Sequence, residues 1–294
     1  MNTLSANIPT TWIWRHLRLA LPADWALLQF SRDVDRGRCA WADRYQYRFQ
    51  LDWRVVPGAP DFERMVSDLA SQLESQHADF TPERVRRGEW HGLAGHEDGR
   101  TVCRFGRYVE PAGCLLEAVF IRPDAVDAGC EEGIIASFGH EAPVDGMAHW
   151  RAYGMDIRVN EGLALEECRV RPADVEMVFT GARYHRVSFN RRGMVKQWLN
   201  EPIAQWLQRQ LPADARDIRC DENERAGHRI TTINARTRRP GVWGPMLRPL
   251  QLTADAWICP RNGRLFTAKS TRPHTSSPDR APAGILCCCA ALEG

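Results

Sequence analysis

The sequence predicts an α+β fold with two similar lobes, each an antiparallel sheet packed against an amphipathic helix. Three observations support this: a long apolar–polar alternation, an apolar stripe at helical spacing, and a loose recurrence of the same element order in the second half. The 294 residues suit one large domain or two of ordinary size. We therefore predict domains at 1–140 and 150–270, a linker at 141–149 and a disordered tail at 271–294.

The clearest element is the segment 45–55, in which every odd position is apolar and every even position is polar. Successive side chains of a strand point to opposite faces, so the pattern predicts a long strand with one buried face. A helix should follow, with Asp61 as its cap. Five apolar residues at helical spacing define its inner face: Phe62, Met65, Val66, Leu69 and Leu73.

The stretch 89–103, EWHGLAGHEDGRTVC, contains His91 and His96 and resembles a metal-binding segment in composition. Residues five apart lie on opposite faces of a strand, so the two imidazoles would not converge. Asp98-Gly99 is also a strong signal for a two-residue hairpin turn. The sequence therefore predicts a hairpin here, and no metal or other cofactor anywhere in the chain.

In the second half, strands are predicted near 155–159, 184–190 and 229–235, with a helix over 194–207 that Pro202 interrupts. The recurrence makes a duplicated domain a hypothesis. The tail from 271 is rich in Pro, Ser and Ala, which is typical of disorder. Its Cys287–Cys289 triplet has no neighbouring histidine or cysteine pair in the sequence, and three adjacent thiols cannot all bind one ion, so we predict no function for it.

Composition excludes several classes of function. The net charge of +2 implies no whole-protein attraction to nucleic acid or to an anionic membrane. No stretch approaches the ~20 apolar residues that span a bilayer, and the N-terminus lacks the pattern of a signal peptide. Seven of the ten cysteines are scattered singly, which favours reduced thiols and a cytoplasmic location.

Common catalytic signatures are absent from the sequence. It has no G-x-S-x-G elbow, no H-E-x-x-H helix, no P-loop and no G-x-G-x-x-G turn. A catalytic pair of cysteine and histidine need not be close in sequence, so that alternative stays open. We predict no catalytic residues, and the sequence leans towards a non-catalytic protein.

Two arginine-rich segments are the predicted contact surfaces, because Trp and Arg are enriched at binding hot spots. The first precedes and enters the long strand, and its candidates are Arg38, Trp41, Asp43, Arg44 and Arg48. The second lies in the loop 225–248, and its candidates are Arg236, Arg238, Arg239 and Trp243. In both cases the plainer alternative is a solvated face with satisfied ion pairs.

The order of strands, helix and hairpin, built on the segments 19–25, 45–55, 61–73 and 90–121, resembles the PsbP-like and Mog-like fold. The resemblance covers about the first 140 residues and, more faintly, the second half. It implies a small accessory protein that binds other proteins and does no chemistry, and it transfers no functional residue.

From these observations we predict a protein-binding accessory or scaffold with an unidentified protein partner, no membrane partner and an oligomeric state that the sequence does not define. One alternative is a contact with nucleic acid through the 225–248 loop, which overall charge does not favour. The other is an enzyme with a spatially assembled Cys–His site. That alternative predicts converging titratable side chains, such as His91 or His228 near a cysteine.

Overall fold

Antiparallel β-structure dominates the fold. A computed structural model describes residues 9–33, 35–76, 81–97, 99–122, 128–239, 248–273 and 284–289. Of these residues, 57% lie in strands and 16% in helices. The predicted α+β class is therefore wrong, and the protein is β-rich with few helices.

The chain divides into two compact units, Met1–Ala142 and Pro143–Gly294. The boundary falls inside the segment 141–149 that the sequence predicts as a linker. Each unit contains one seven-stranded antiparallel sheet and a smaller group of three strands.

The first unit contains strands β1 to β10 and helices α1 and α2. The strands are β1 Thr10–Trp14, β2 Leu17–Leu21, β3 Ala26–Phe30, β4 Arg36–Ala42, β5 Tyr47–Val55, β6 Glu83–Arg87, β7 Trp90–Glu97, β8 Arg100–Val109, β9 Cys114–Arg122 and β10 Gly139–His140. The helices are α1 Phe62–Gln76 and α2 Ala128–Ser137. The large sheet has the order β3-β4-β5-β9-β8-β7-β6, and β2 lies between β10 and β1 in the small group.

Local predictions in this unit are confirmed. The alternating segment forms β5, with Leu51 and Trp53 buried. Asp61 caps α1, since its Oδ1 accepts a hydrogen bond from the backbone N–H of Arg64 at 3.1 Å. Within the stretch 89–103, Trp90–Glu97 and the residues from Arg100 onward pair as the β7–β8 hairpin with Glu97 opposite Arg100, and Asp98 of the predicted turn lies outside the described residues. The sequence therefore predicts individual elements more reliably than it predicts the class of fold.

The second unit contains strands β11 to β20 and helices α3 and α4. The strands are β11 Met147–Ala152, β12 Met155–Asn160, β13 Ala164–Arg171, β14 Asp174–Thr180, β15 Arg186–Arg192, β16 Arg216–Arg225, β17 His228–Thr237, β18 Leu250–Ile258, β19 Leu265–Pro273 and β20 Gly284–Cys287. The helices are α3 Val195–Trp198 and α4 Ile203–Arg209. The large sheet has the order β13-β14-β15-β19-β18-β17-β16, and β12 lies between β11 and β20.

The ten strands that the structure describes in each unit follow the same order. In both units two strands precede the large sheet, its third strand leads into helix, and its last four strands run back across it. The final strand of each unit then pairs with the second one, β10 with β2 and β20 with β12. The matching order is what a duplicated domain would produce, and duplication stays a hypothesis.

The predicted class is wrong because some strands lack an apolar signature. All ten residues of β16 are exposed, and four of the five in β6 are exposed. Edge strands of this kind pair through backbone hydrogen bonds, and their charged side chains show no alternation. The predicted helix 194–207 is also reduced to α3 and α4, separated around Pro202.

The predicted disordered tail contains ordered backbone. Strand β19 continues to Pro273, and Gly284–Cys287 form β20, paired antiparallel with β12. The prediction of disorder at 271–294 is therefore wrong for these residues, because pairing with a neighbouring strand orders a segment that has no periodicity of its own. Residues 274–283 and 290–294 lie outside the described part of the chain.

Aromatic side chains fill both cores. In the first unit the ring of Trp41 meets Trp12 edge-on at 5.0 Å and stacks on Phe49 at 5.1 Å. In the second unit Phe179 meets Trp150 edge-on at 5.3 Å. Offset and edge-to-face pairs of this kind add about 0.5–1.5 kcal/mol each beyond the apolar area that they bury.

Candidate metal centre

Four side chains of the second unit converge on one point: His228, Cys259, Cys288 and Cys289. Their ligand atoms, one nitrogen and three sulfurs, all lie within 4.8 Å of one another. His228 Nε2 lies 3.2 Å from Cys288 Sγ and 3.5 Å from Cys289 Sγ, and the two sulfurs are 3.9 Å apart. We call this group the Cys3His cluster.

These distances are close to those of a tetrahedral zinc site. Ordinary Zn–S and Zn–N bond lengths place neighbouring sulfurs about 3.8 Å apart and sulfur and nitrogen about 3.6 Å apart around a tetrahedral ion. One histidine with three cysteines is also an established ligand set of structural zinc. The residues therefore fit a single Zn²⁺ ion, or a similar soft divalent cation, in both number and spacing.

Three separate segments of the second unit bring the ligands together. His228 is the first residue of β17, immediately after the Ala226-Gly227 turn, in which both residues have positive φ. Cys259 directly follows β18, the neighbour of β17. Cys288 and Cys289 directly follow β20. The cluster thus ties the end of the chain's last described strand to the large sheet of the same unit.

The imidazole of His228 is oriented for ligation through Nε2. Its Nδ1 lies 3.0 Å from the carbonyl oxygen of Ala226, which can only accept a hydrogen bond. Nδ1 must therefore carry the proton, and in the neutral ring Nε2 presents its lone pair to the three sulfurs. Metal-bound histidines usually make this kind of contact through their other nitrogen.

The turn after Cys259 supplies hydrogen bonds to its sulfur. The backbone N–H groups of Arg261 and Asn262 both donate to Cys259 Sγ. Gly263, with φ of 65°, closes the turn by donating its N–H to the Cys259 carbonyl at 2.9 Å. Amides directed at a sulfur stabilise the thiolate, which is the form that binds metal.

The pKa values of two thiols in the cluster are shifted in opposite directions. Burial raises the pKa of the Cys259 thiol, but the hydrogen bonds that its sulfur makes with His228 and the backbone outweigh this effect and lower the pKa to about 7. Burial raises the pKa of the Cys288 thiol to about 12, and the neighbouring cysteines add to the rise. Without a metal, Cys259 is therefore the better thiolate at neutral pH, and metal binding would release the proton of Cys288.

Cys288 has a further partner outside the cluster. The indole N–H of Trp257 donates to Cys288 Sγ at 3.2 Å. Trp257 is buried and stacks on Phe266 at 6.0 Å, so the donor is held by the core. A fixed donor of this kind orients the sulfur and partly offsets the cost of burying its charge.

Access to the cluster is limited. His228 is 1% exposed and Cys259 is not exposed, whereas Cys288 and Cys289 are half-buried. A catalytic zinc site normally keeps one coordination position for water or substrate, and a structural site takes four protein ligands. The four-residue ligand set and its burial both favour a structural site.

The cluster corrects the sequence-based interpretation of the cysteine triplet. Only two of the three adjacent thiols take part, and a histidine and another cysteine join them from 60 and 29 residues upstream of Cys288. The prediction that nothing accompanies the triplet is wrong because it considered only neighbours in sequence. One feature of the sequence could have indicated the site. It is the turn that begins at Cys259 and ends in a glycine, because a turn of this kind is suited to N–H···S contacts.

The polar side chains of the first predicted contact surface pair with other residues of the same chain. Arg38 pairs with Asp52 across β4 and β5 at 2.6 Å, and Arg48 pairs with Asp43 at 3.0 Å. Asp43 also accepts backbone hydrogen bonds in the turn, and Arg44 lies over the ring of Tyr45 at 5.8 Å. Trp41 is 2% exposed, so its ring belongs to the core and not to the surface.

The second predicted surface shows the same internal pairing. Arg236 lies 3.3 Å from Asp217, and the backbone N–H of Arg238 donates to Asp214 at 2.7 Å. Arg239 donates to the carbonyl of Arg248 at 2.9 Å and lies over the ring of Tyr184. Trp243 lies outside the described residues. The structure does not bring either arginine set into the Cys3His cluster.

Comparisons with known proteins assign no family. No protein-family model matches the chain, and no curated protein matches it. A crystal structure of a protein from Bacteroides thetaiotaomicron VPI-5482 is similar, with 16% sequence identity over 49% of this chain and 50% of that chain and a TM-score of 0.28. A likeness this distant carries no argument, so the PsbP-like and Mog-like resemblance stays a hypothesis.

Proposed function

We propose that this chain is a non-catalytic metal-binding protein whose second unit holds one Zn²⁺ ion with His228, Cys259, Cys288 and Cys289. The observation that carries the proposal is the convergence of these four ligand atoms within 4.8 Å. The metal would supply structural cross-linking, since it would join the ends of β18 and β20 to the start of β17. No step of chemistry is assigned to it.

A cysteine nucleophile activated by His228 is the competing explanation, because the sequence left that alternative open. The cluster does bring His228 to a thiol of low pKa. That thiol is fully buried, however, and a nucleophile must reach its substrate. A catalytic Cys–His pair needs only one thiol. The two further sulfurs, which lie at bonding distance from the same ion, are explained by a metal site and not by a nucleophile.

The wider role predicted from the sequence stays a proposal. A structural metal is consistent with an accessory or scaffold protein, and the ten cysteines are free thiols, which suits a reducing cytoplasm. Among the described residues, no helix is both long and apolar enough to cross a membrane. A protein partner would have to bind other residues, because Trp41 is buried.

Cobalt substitution tests the ligand set. Co²⁺ bound to the wild-type chain is expected to show the visible bands of tetrahedral coordination and a sulfur-to-metal charge-transfer band from three thiolates. Cys289→Ser should lower the charge-transfer intensity by about a third and weaken binding, because one of three thiolates is lost. Cys220→Ser, at an exposed cysteine on β16, is the matched control and should leave the spectrum unchanged. A spectrum that is weak and octahedral, or one unaltered by Cys289→Ser, would refute the proposal.

A further inference from the structure

A small polar cavity lies beside helix α4 in the second unit. Its volume is about 110 Å³, which is room for several water molecules or one small organic molecule. Trp206 and Leu207 of α4 and Leu211 after it form an apolar part of the wall. Polar side chains on three neighbouring strands of the large sheet also line it: Glu176, Ser188, Asn190, Thr267 and Lys269.

The strand register places these polar side chains next to one another on one face of the sheet. Asn190 of β15 lies opposite both Glu176 of β14 and Thr267 of β19. Two residues away on the same strands, Ser188 lies opposite Lys269. Directly opposed residues share a face of the sheet. On β17 and β18 this face is apolar and packs against α4, so the polar set is confined to the part that borders the cavity.

The side chain of Asn190 has an unsatisfied acceptor. Asn190 is 8% exposed, and its Oδ1 is the only buried side-chain oxygen without a hydrogen-bond partner in the described part of the chain. Its Nδ2 donates to Asp174 at 2.7 Å, which fixes the orientation of the amide. Because the carbonyl branch diverges from the nitrogen, Oδ1 is directed away from Asp174, which is not part of the cavity wall. A buried acceptor of this kind costs free energy until a donor reaches it.

Lys269 brings a positive charge that its neighbours do not pair. Its Nζ donates to the carbonyl oxygen of Gln210 at 2.8 Å, and it forms no ion pair with a residue that the structure describes. The carboxylate of Glu176 acts on this charge, but Glu176 pairs with Arg169 at 2.7 Å. Burial lowers the pKa of the Lys269 ammonium more than the charge of Glu176 raises it. The cavity therefore favours an anion at Lys269.

The other charged side chains of the wall already have partners. Arg192 lies 3.4 Å from Asp174, and Asp255 accepts a hydrogen bond at 2.7 Å from a threonine of β17. The hydroxyl groups of Ser188 and Thr267, in contrast, make no hydrogen bond to another described residue. Each hydroxyl can donate or accept. Within the described residues, the cavity thus offers one uncompensated positive charge, two available hydroxyls and one unsatisfied acceptor.

We propose that this cavity binds a small α-hydroxycarboxylate, with its carboxylate at the Lys269 ammonium and its hydroxyl donating to Asn190 Oδ1. The hydroxyls of Ser188 and Thr267 would donate to the carboxylate oxygens, and the hydrocarbon part would lie against Trp206. A carboxylate without a hydroxyl would leave Asn190 Oδ1 unpaired, and a neutral polyol would leave the ammonium uncompensated. None of these groups belongs to the Cys3His cluster, so the site is independent of the metal proposal.

Calorimetric titration of glycolate, L-lactate and D-glycerate into the full-length protein tests the site. We expect saturable binding of at least one of these acids, with one molecule per chain. For the acid that binds most tightly, the analogue without the α-hydroxyl and the amide without the charge should each bind at least about tenfold more weakly, because each leaves a polar group of the site unpaired. No saturable binding of any of the three acids, or equal affinity for the analogue without the hydroxyl, would overturn the proposal.

Two variants locate the binding in this cavity. Lys269→Met should reduce the affinity at least about tenfold, because it removes the charge that pairs with the carboxylate. Lys196→Met, at the chain's other lysine, which is exposed in α3, is the matched control and should bind as the wild type does. Thermal unfolding covers the case in which Lys269→Met folds poorly. The same acid should raise the unfolding midpoint of the wild type and of Lys196→Met, and it should raise that of Thr267→Val, which keeps the shape of the side chain but loses the hydroxyl, by less. Unchanged affinity in Lys269→Met, or an equal rise in Thr267→Val and the wild type, would contradict the inference.

Discussion

Chelation of the metal is expected to lower the midpoint of thermal unfolding of the second unit by about 10 °C or more. Structural Zn²⁺ contributes about 10–16 kcal/mol of apparent binding free energy in small zinc peptides. The second unit also has its own core, built around Leu207, Ile233 and Leu252, so only part of that figure should appear as lost stability. A loss of several kcal/mol corresponds to a shift of this size for a unit of about 150 residues.

The physical reason is that the metal connects distant parts of the unit. It would cross-link positions 228, 259, 288 and 289, and this constrains the unfolded chain more than the folded one. Differential scanning calorimetry with and without a strong chelator measures the effect, and added Zn²⁺ should reverse it while Mg²⁺ should not. Cys289→Ser should respond little to the chelator. An unchanged midpoint in the wild-type protein after proven metal removal would contradict a structural role.

Gly284→Ala is expected to weaken metal binding without altering any ligand. A Cβ at Gly284 would lie 2.6 Å from Phe189 Cζ and 3.3 Å from the carbonyl oxygen of Arg158. Phe189 is fully buried, so its ring has little freedom to move aside. Overpacking of this kind costs about 1–3 kcal/mol and should displace β20, the strand that positions Cys288 and Cys289.

Denaturant unfolding and competitive Zn²⁺ titration measure the two consequences of Gly284→Ala. Gly133→Ala, at a helical glycine in α2 with nothing within 4 Å of the added Cβ, is the control. It should leave metal affinity unchanged and stabilise the chain by up to about 1 kcal/mol. Phe189→Leu combined with Gly284→Ala should recover part of the affinity, because it vacates the clash. Wild-type stability and affinity in Gly284→Ala would show that β20 does not position the ligands.

Local structure is the part of this fold that the sequence makes predictable. The alternation in β5 and the cap at Asp61 depend on residues within one element, and both are present in the structure. The prediction of the fold class failed because it missed edge strands such as β16. All ten residues of β16 are exposed and show no apolar alternation. Pairing between strands orders those segments, and a single sequence does not reveal which strands pair.

The candidate metal site lies beyond local patterns for the same reason. His228 and Cys259 are 31 residues apart, and only the pairing of β17 with β18 brings their strands side by side. Burial also removes one of the predicted contact residues from the surface. Trp41 in the sequence stands among arginines, yet the strand places its ring against Trp12 and Phe49 in the core.

Metal analysis of the purified full-length protein tests the central claim most directly. Inductively coupled plasma mass spectrometry should find one zinc per wild-type chain and per Cys220→Ser chain. His228→Ala and Cys259→Ser should each contain far less, because each loses one of four ligands. Absence of zinc from the wild-type protein even after incubation with Zn²⁺ under reducing conditions, or equal zinc in the wild type and both ligand variants, would contradict the account.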